Sequence, residues 1–260
     1  MGVISEYKNK LISAEDAAKL VSSNSTLALG GSMSFATAID VNLAARKSEL
    51  REVAVSTFID VLPYEFLKAD PECEVFEWMS GFVHMGCRCF SKDLGPAIFL
   101  PNLYFDVPRI TREVHGGKID ISFLVTSEMD EHGYFNFGIT CSHMKALAES
   151  SKKVVVIAKK NMPWVNGGYE ETIHISEVDY VEDENPTPSL PFTPPSTEQD
   201  EMIAENIIEA NLIEDGSTLQ VGIGSLPDSV VRLLKEYDFK ELGVHTEMVG
   251  EGIMELVEEG

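Results

Sequence analysis

Short, largely apolar runs, separated by stretches of helical character, constrain the fold of this chain more than any other feature of its sequence. The runs lie at residues 26–29, 53–58, 97–100, 119–125 and 154–157. Helical stretches between or beside them include residues 38–45 and 143–150. Strands that are apolar on both faces and alternate with helices are typical of parallel sheets covered by helices. The pattern therefore predicts an α/β fold with a mostly parallel sheet flanked by helices.

Composition excludes several classes of protein. A chain of 260 residues with 44% hydrophobic content can bury the cores of one to two domains. It contains no apolar run long enough to span a membrane and no apolar leader in its first twenty residues, so we expect a cytoplasmic protein. The formal net charge of −23 argues against binding to nucleic acids or anionic membranes.

Cysteine and histidine residues do not form a recognisable metal motif. Cys73, Cys87, Cys89 and Cys141 are too few and too irregularly spaced for a disulfide framework, so we expect reduced thiols. A Cys-x-Cys pair with His84 lacks the paired Cys-x-x-Cys spacing of structural zinc sites, and we expect no metal. The chain also has no Gly-x-Ser-x-Gly segment, which disfavours a serine hydrolase.

The distribution of proline divides the chain into two parts. Residues 182–196 are rich in proline and acidic side chains, which predicts a linker between a first domain at 1–181 and a second at 197–260. Ser196 or Thr197 caps a helix that opens the second domain. Because about sixty residues of α/β structure bury little surface, we expect this second domain to be incomplete and completed from elsewhere.

Two turns near the end of the sequence contain the candidate catalytic groups. Residues 219–228 read as a strand that runs into Gly222 and Gly224 and then into an amphipathic helix, whose first backbone amides can bind an anion or a developing oxyanion. Residues 243–248, Gly-Val-His-Thr-Glu-Met, place Glu247 in a tight turn with apolar neighbours. A carboxylate that is dehydrated and held at attack distance can act as a nucleophile, which makes Glu247 a candidate.

Together the two turns resemble the acetyl-CoA hydrolase/transferase family, whose members include 4-hydroxybutyrate and butyrate CoA-transferases and carry a GIG turn followed by an HTEM glutamate. Residues 101–104, 107–109, 130–138 and 161–163 are similar to further blocks of that family, in the same order. The chain departs from the family at Trp164, where arginine is common, and at 250–252, which read Gly-Glu-Gly. These departures leave the identity of the substrate open.

The resemblance implies a CoA-transferase (NagB/RpiA-like) fold and a family I-like CoA-transferase. It implies that Glu247 is the catalytic residue and forms a glutamyl-CoA thioester. It also implies an oxyanion and CoA-binding turn, with the amide near Leu226 facing the thioester oxygen. The turn comprises Gln220, Gly222, Gly224 and Leu226. We further expect His245 to shape the loop and, with Gly30 and Gly31, to belong to the substrate-binding residues. Gly30 and Gly31 fit a plain αL or close-packing turn equally well.

Partners follow from the same resemblance: an acyl-CoA, a small carboxylate, a C-terminal half of the same enzyme and a homo-oligomeric assembly, with no permanently bound cofactor. Acidic residues far outnumber basic ones after residue 198, which makes that segment a poor clamp for the CoA phosphates. The predicted activity is CoA transfer between a short-chain acyl-CoA and acetate, of the 4-hydroxybutyrate or butyrate type. The alternatives are an acyl-CoA hydrolase that uses the same glutamate and an inactive binding or regulatory fragment.

Overall fold

A parallel sheet forms the centre of the first of two structural units. The computed structural model describes residues 2–31, 34–59, 61–83, 97–114, 116, 118–168, 170–184 and 194–259. The chain divides into units at Met1–Thr187 and Pro188–Gly260. Within the described residues, seven strands of the first unit join in one sheet of order β4-β3-β2-β1-β5-β7-β9, all parallel. These strands are β1 Thr26–Leu29, β2 Val53–Thr57, β3 Phe76–Ser80, β4 Ile98–Phe99, β5 Ile121–Ser127, β7 Val154–Lys159 and β9 Tyr180–Glu184.

Burial along the strands explains why the sequence forms this sheet. Every residue of the central strands β5 and β7 is buried. Both faces of these strands are therefore covered, as in other parallel sheets. At one edge of the sheet, both residues of β4 are exposed. The expected α/β architecture with a mostly parallel sheet is confirmed.

Helices and a small two-stranded antiparallel sheet accompany the two faces of the parallel sheet. Even-numbered positions of β7 belong to a core that also contains Met144 and Leu147, whereas Val155, Ile157 and Lys159 point to the opposite face. The helices of this unit are α1 Val3–Lys10, α2 Ala14–Lys19, α3 Thr37–Ala45, α4 Glu65–Ala69, α5 Val107–Glu113 and α6 Met144–Ser150. The antiparallel pair consists of β6 Tyr134–Asn136 and β8 Thr172–His174. Short 3₁₀ turns lie at Tyr104–Asp106 and Ile175–Glu177.

The strand order reverses between β1 and β5. From β1 the chain adds β2, β3 and β4 toward one edge, and later adds β5, β7 and β9 toward the other. In open α/β sheets, ligands bind outside the carboxyl ends of the strands at such a reversal. Gly30 and Gly31 directly follow β1 and lie at this place.

The second unit contains three helices and two short parallel strands within its described residues. They are α7 Glu198–Glu209, β10 Thr218–Leu219, α8 Ser225–Leu234, β11 Gly243–Val244 and α9 Glu251–Glu259. Thr197, rather than Ser196, caps α7, since its hydroxyl accepts a hydrogen bond from the Asp200 amide. Leu212 lies beyond the end of α7 and is 74% exposed.

The structure differs from the sequence-based expectation at the predicted linker 182–196. Strand β9 continues through Glu184 and pairs with β7, so the first three residues of the expected linker belong to the sheet. An edge position accommodates this acidic strand end because one side of an edge strand is free of sheet pairing. Residues 185–193 lie outside the described residues.

No helix in the described ranges has the length and apolar character needed to cross a bilayer.

Candidate active site

Parallel pairing of β10 with β11 brings the two candidate turns together. Thr218 pairs with Gly243 and Leu219 with Val244, and the His245 amide donates to the Leu219 carbonyl at 2.9 Å. Since the strands are parallel, the glycine turn and the Glu247 loop leave the pair at the same end.

A threonine side chain ties the two loops beyond the strands. The Thr246 hydroxyl donates to the Val221 carbonyl at 2.7 Å and accepts from the Val221 amide at 3.3 Å. Val221 precedes Gly222, and Glu247 follows Thr246 directly. The loop that contains Glu247 is thereby joined to the residue that precedes the glycine turn.

The glycine turn directs the start of α8 toward this loop. Gly224 caps the helix with φ of +128°, a conformation that side-chain-bearing residues rarely adopt. The first turn of a helix leaves its amides without intrahelical acceptors, and Pro227 has no N–H, so Ser225 and Leu226 carry the available donors. These two amides can stabilise an oxyanion if a thioester oxygen lies near them.

A buried aspartate anchors the far end of the Glu247 loop. Asp228, 8% exposed, accepts from the Gly252 amide at 2.8 Å and forms an ion pair with Arg232 at 3.1 Å. A Cβ on Gly252 would lie 2.8 Å from the same carboxylate oxygen, so the close approach requires glycine. No role for Asp228 was predicted from the sequence, although an aspartate four residues before an arginine in a helix is an ion-pair signal.

Comparison with known proteins identifies the family. The model for the acetyl-CoA hydrolase/transferase N-terminal domain matches residues 2–192. The chain belongs to this family.

Relatives of the chain within the acetyl-CoA hydrolase/transferase family carry CoA-transferase names. Butyryl-CoA:acetate CoA-transferase from Anaerostipes caccae is 36% identical over 259 residues, which cover 98% of this chain and 57% of the relative. The 4-hydroxybutyrate coenzyme A transferase from Clostridium kluyveri is 32% identical over 98% of this chain and 57% of the relative. The chain thus spans little more than half the length of these relatives.

Solved structures agree with this membership. RipA from Yersinia pestis superposes with a TM-score of 0.84 at 28% identity, over 100% of this chain and 60% of that protein. The 4-hydroxybutyrate CoA-transferase from Porphyromonas gingivalis superposes with a TM-score of 0.72 at 25% identity, over 98% of this chain and 58% of that protein. The fold of this chain is that of these family structures.

The surroundings of Glu247 differ from those that the sequence indicates for this family member. Glu247 and His245 are exposed, as are the flanking Val244 and Val249 at 42% and 62%. The side chains of Val244 and Val249 are thus exposed to solvent and do not enclose the Glu247 carboxylate. Within the second unit, the apolar environment expected for a dehydrated nucleophile is therefore incomplete.

The CoA-binding residues predicted for the turn differ in exposure. Gln220 and Gly222 are exposed, whereas Gly224 and Leu226 are half-buried. Basic side chains of this unit are already paired: Arg232 and Lys235 contact Glu255 at 3.2 and 2.6 Å. Lys240, the remaining basic side chain of residues 194–259, pairs with Asp238. Hydrogen bonds from Lys235 lower the pKa of the Glu255 carboxyl. These pairs leave the segment poorly suited to binding CoA phosphates, as its composition indicated.

Gly30 and Gly31, by contrast, belong to the first unit, where both are buried in close packing. The Gly30 amide donates to the Phe123 carbonyl at 2.9 Å. A Cβ on Gly31 would lie 2.0 Å from the Phe58 carbonyl oxygen, and neither glycine has a positive φ. Close packing therefore accounts for both residue types, and substrate contact at these positions stays a prediction.

His143 of the first unit is buried in close packing. Burial lowers the pKa of His143 to about 4, and its ring packs edge-on against Phe58 at 5.6 Å between centroids. The described residues contain no group of three or more metal-capable side chains. Of the cysteines and histidine considered for a metal, Cys73 is described, while His84, Cys87 and Cys89 lie outside the described residues.

Proposed function

We propose that this chain is part of an enzyme that transfers CoA from a short-chain acyl-CoA to acetate or a similar carboxylate, with Glu247 as nucleophile. The observation that carries the proposal is the tie between the Glu247 loop and the glycine turn through Thr246. In a member of the acetyl-CoA hydrolase/transferase family, that tie joins the loop that contains Glu247 to the glycine turn that precedes α8, which supports Glu247 as nucleophile and the Ser225 and Leu226 amides as oxyanion donors.

The chemistry proceeds in two balanced exchanges. The Glu247 carboxylate attacks the thioester carbonyl, the C–S bond breaks, and CoA leaves as a thiolate from a mixed anhydride. The Leu226 amide, with that of Ser225, stabilises the oxyanion formed on the way; one such donor lowers a barrier by about 3 kcal/mol. The thiolate then attacks the glutamyl carbonyl, releases the first carboxylate and forms the glutamyl-CoA thioester. An incoming carboxylate reverses both steps and leaves as the new acyl-CoA.

The proposed substrates are of the butyrate or 4-hydroxybutyrate type. Relatives with these names share 32–36% identity with the chain. A relative from Geobacter metallireducens is named succinyl-CoA:cyclohexane-1-carboxylate CoA transferase at 35% identity, so family membership alone does not select the acyl group. Each methylene contributes only about 1–3 kcal/mol to discrimination, which places the choice in a few pocket contacts.

The active enzyme, on this proposal, includes a C-terminal half of the same protein and acts in the cytoplasm as a homo-oligomer. Exposure of Glu247 supports the need for further covering structure, because a carboxylate in water is a weak nucleophile. Pairing of Arg232, Lys235 and Lys240 with acids supports phosphate binding by cations from elsewhere. CoA and acyl-CoA are substrates here rather than resident cofactors.

Hydrolysis of acyl-CoA through the same glutamate is the second candidate. The exposure of Glu247 favours it, since water reaches an intermediate at an open carboxylate more readily than at a covered one. The two activities differ in their dependence on the acceptor.

The test measures CoA release and acetyl-CoA formation from butyryl-CoA, with and without acetate. The 260-residue chain is assayed beside a form extended by the C-terminal half. Transfer predicts acetyl-CoA in the extended form only when acetate is present. Release of CoA at the same rate without acetate contradicts transfer and supports hydrolysis. Full turnover by the 260-residue chain contradicts the need for a further half, and binding of CoA without turnover by either form supports a binding or regulatory role.

A further inference from the structure

Lys159 is a buried cation at the carboxyl end of β7. It is the last residue of the strand and is 1% exposed, among the largest side chains that the protein buries completely. Burying an ammonium group is unfavourable unless hydrogen bonds compensate for its lost hydration. One of its hydrogen bonds goes to the main-chain carbonyl of Phe35.

This hydrogen bond crosses the reversal of strand order. Lys159 pairs in register with Ser127 at the end of β5, and β5 lies between β7 and β1. Phe35 belongs to the connection between β1 and α3. The lysine side chain therefore extends past the end of β5 to the segment that follows β1. This place lies at the carboxyl ends of the strands, where open α/β sheets bind ligands.

The connection after β1 is fixed by packing on its other side. Gly31 lies against the Phe58 main chain just beyond β2. The Phe35 ring packs on Tyr64, with 6.0 Å between ring centroids. Phe35 and Tyr64 line an open pocket of about 210 Å³ together with Leu29. Lys159 holds the Phe35 carbonyl from the β5–β7 side, so the connection is held between the two halves of the sheet.

A buried carboxylate lies on the same face of the sheet as Lys159. Glu182 of β9, 7% exposed, pairs with Ile157 in register, two residues before Lys159. Neighbouring residues of a strand alternate in direction, so Ile157, Lys159 and Glu182 share one face. The face that holds the lysine thus also holds an acidic side chain, and a charged donor makes the stronger hydrogen bond to a carbonyl.

We propose that Lys159 is a positioning residue: through the Phe35 carbonyl it fixes Gly30, Gly31 and Phe35 in the arrangement that receives the acyl-CoA. The part of this statement that concerns acyl-CoA rests on the proposed CoA transfer. The part that concerns the anchored connection rests on the fold alone.

Three variants test the proposal in the enzyme extended by its C-terminal half. Lys159→Met keeps an unbranched side chain, shorter by one heavy atom, and removes both charge and donors, whereas Lys159→Arg keeps both. Lys160→Met changes the adjacent, exposed lysine and is the matched control. Hydrogen–deuterium exchange reports on the amides of the connection after β1, and steady-state kinetics report kcat and KM for butyryl-CoA.

We expect Lys159→Met to accelerate exchange at Phe35 and its neighbours by about tenfold or more, because a hydrogen bond from a charged donor is lost. KM for butyryl-CoA should rise by about tenfold while kcat changes less. Lys159→Arg should recover most of both effects, and Lys160→Met should match wild type. Unchanged exchange in Lys159→Met overturns the anchor, and faster exchange with an unchanged KM overturns the positioning role.

The proposed CoA transfer and the proposed anchoring by Lys159 can be contradicted independently of each other. If wild type transfers no CoA, the proposed function fails and exchange alone decides whether Lys159 anchors the connection. If Lys159→Met does not fold, wild-type protein labelled with ¹⁵N at lysine and ¹³C at every carbonyl is studied by NMR. A coupling between Lys159 Nζ and the Phe35 carbonyl carbon supports the anchor, and its absence, with other lysine couplings visible, overturns it.

Discussion

Thr246 binds Val221 through both main-chain polar groups, donating to its carbonyl at 2.7 Å and accepting from its amide at 3.3 Å. One hydroxyl thus replaces the next rung of the β10–β11 ladder at the point where the strands end. The residue after Thr246 is Glu247, so the position of the candidate nucleophile depends on this side chain.

Removing the Thr246 hydroxyl should lower the rate of CoA transfer. In Thr246→Val, an isosteric change, both hydrogen bonds to Val221 are lost; we expect kcat to fall by about 10- to 100-fold, since small displacements of a nucleophile have effects of this size. Thr246→Ser keeps the hydroxyl and should stay within about threefold of wild type. Exchange of the Val221 amide, faster only in the valine variant, checks the cause. Equal kinetics for both variants contradict the role of Thr246.

Asp228 should stabilise the second unit chiefly through the Gly252 amide. Asp228→Ala leaves that buried amide without its acceptor and removes one of the ion pairs of Arg232, and we expect a loss of about 1–3 kcal/mol in the free energy of unfolding. Asp228→Asn keeps an acceptor for the amide and removes the ion pair with the half-exposed Arg232, which costs about 1 kcal/mol or less. Urea unfolding of the three proteins measures the order. A larger loss in Asp228→Asn than in Asp228→Ala contradicts this account.

The two glycines of the turn should respond differently to alanine. Gly224 has φ of +128°, so Gly224→Ala introduces strain of about 1–3 kcal/mol and shifts the start of α8. Gly222 has no positive φ, and a Cβ there meets Pro227 at an ordinary 3.9 Å, so Gly222→Ala should leave stability nearly unchanged. Thermal unfolding compares the two variants. If Gly222→Ala is stable yet slow in CoA transfer, the loss marks contact with substrate.

Asp40 should make the stability of the first unit depend on pH. Burial raises the pKa of its carboxyl from 3.8 to about 6, although the amides of Glu65 and Phe66 bind the carboxylate. Between these pH values the folded state retains a proton that the unfolded state has lost. The contribution of Asp40 is therefore most favourable below pH 3.8 and falls as pH rises to about 6, by about 3 kcal/mol in all.

Asp40→Asn removes this titration and isolates it from other groups. The free energy of unfolding of wild type minus that of the variant, from urea titrations at pH 4 to 7, should decrease as pH rises. A difference that is constant across this range, or that increases with pH, contradicts the raised pKa of Asp40.

Local sequence was sufficient to predict the sheet but not all of its members. Strands β5 and β7 consist mostly of apolar residues and were therefore predictable. Strand β3 was not predicted, because Glu77 and Ser80 interrupt its apolar sequence. Glu77 is exposed, on the face opposite to that of Phe76 and Trp78. The antiparallel pair of β6 and β8 was not predicted, because its two strands lie far apart in the chain: Tyr134 pairs with His174.

Candidate site residues divide in the same way. The glycine turn and Glu247 were recognisable from consecutive residues. Asp228 was not, because its partner, the Gly252 amide, lies 24 residues away. The exposure of Glu247 was not predictable either, because Val244 and Val249 are apolar neighbours in sequence that point to solvent. The contact of Asp228 and the exposure of Glu247 thus depend on the three-dimensional structure and cannot be predicted from neighbouring residues in the sequence.

Trapping the glutamyl-CoA thioester on Glu247 tests the central claim most directly. The enzyme extended by its C-terminal half is incubated with butyryl-CoA and then with borohydride, which reduces a thioester but leaves a free carboxylate intact. We predict irreversible inactivation that requires butyryl-CoA, with mass spectrometry locating the reduced side chain at Glu247. Glu247→Gln, treated in the same way, should show no modification. Modification at another residue, or near-wild-type transfer by a folded Glu247→Ala variant, would contradict Glu247 as the nucleophile.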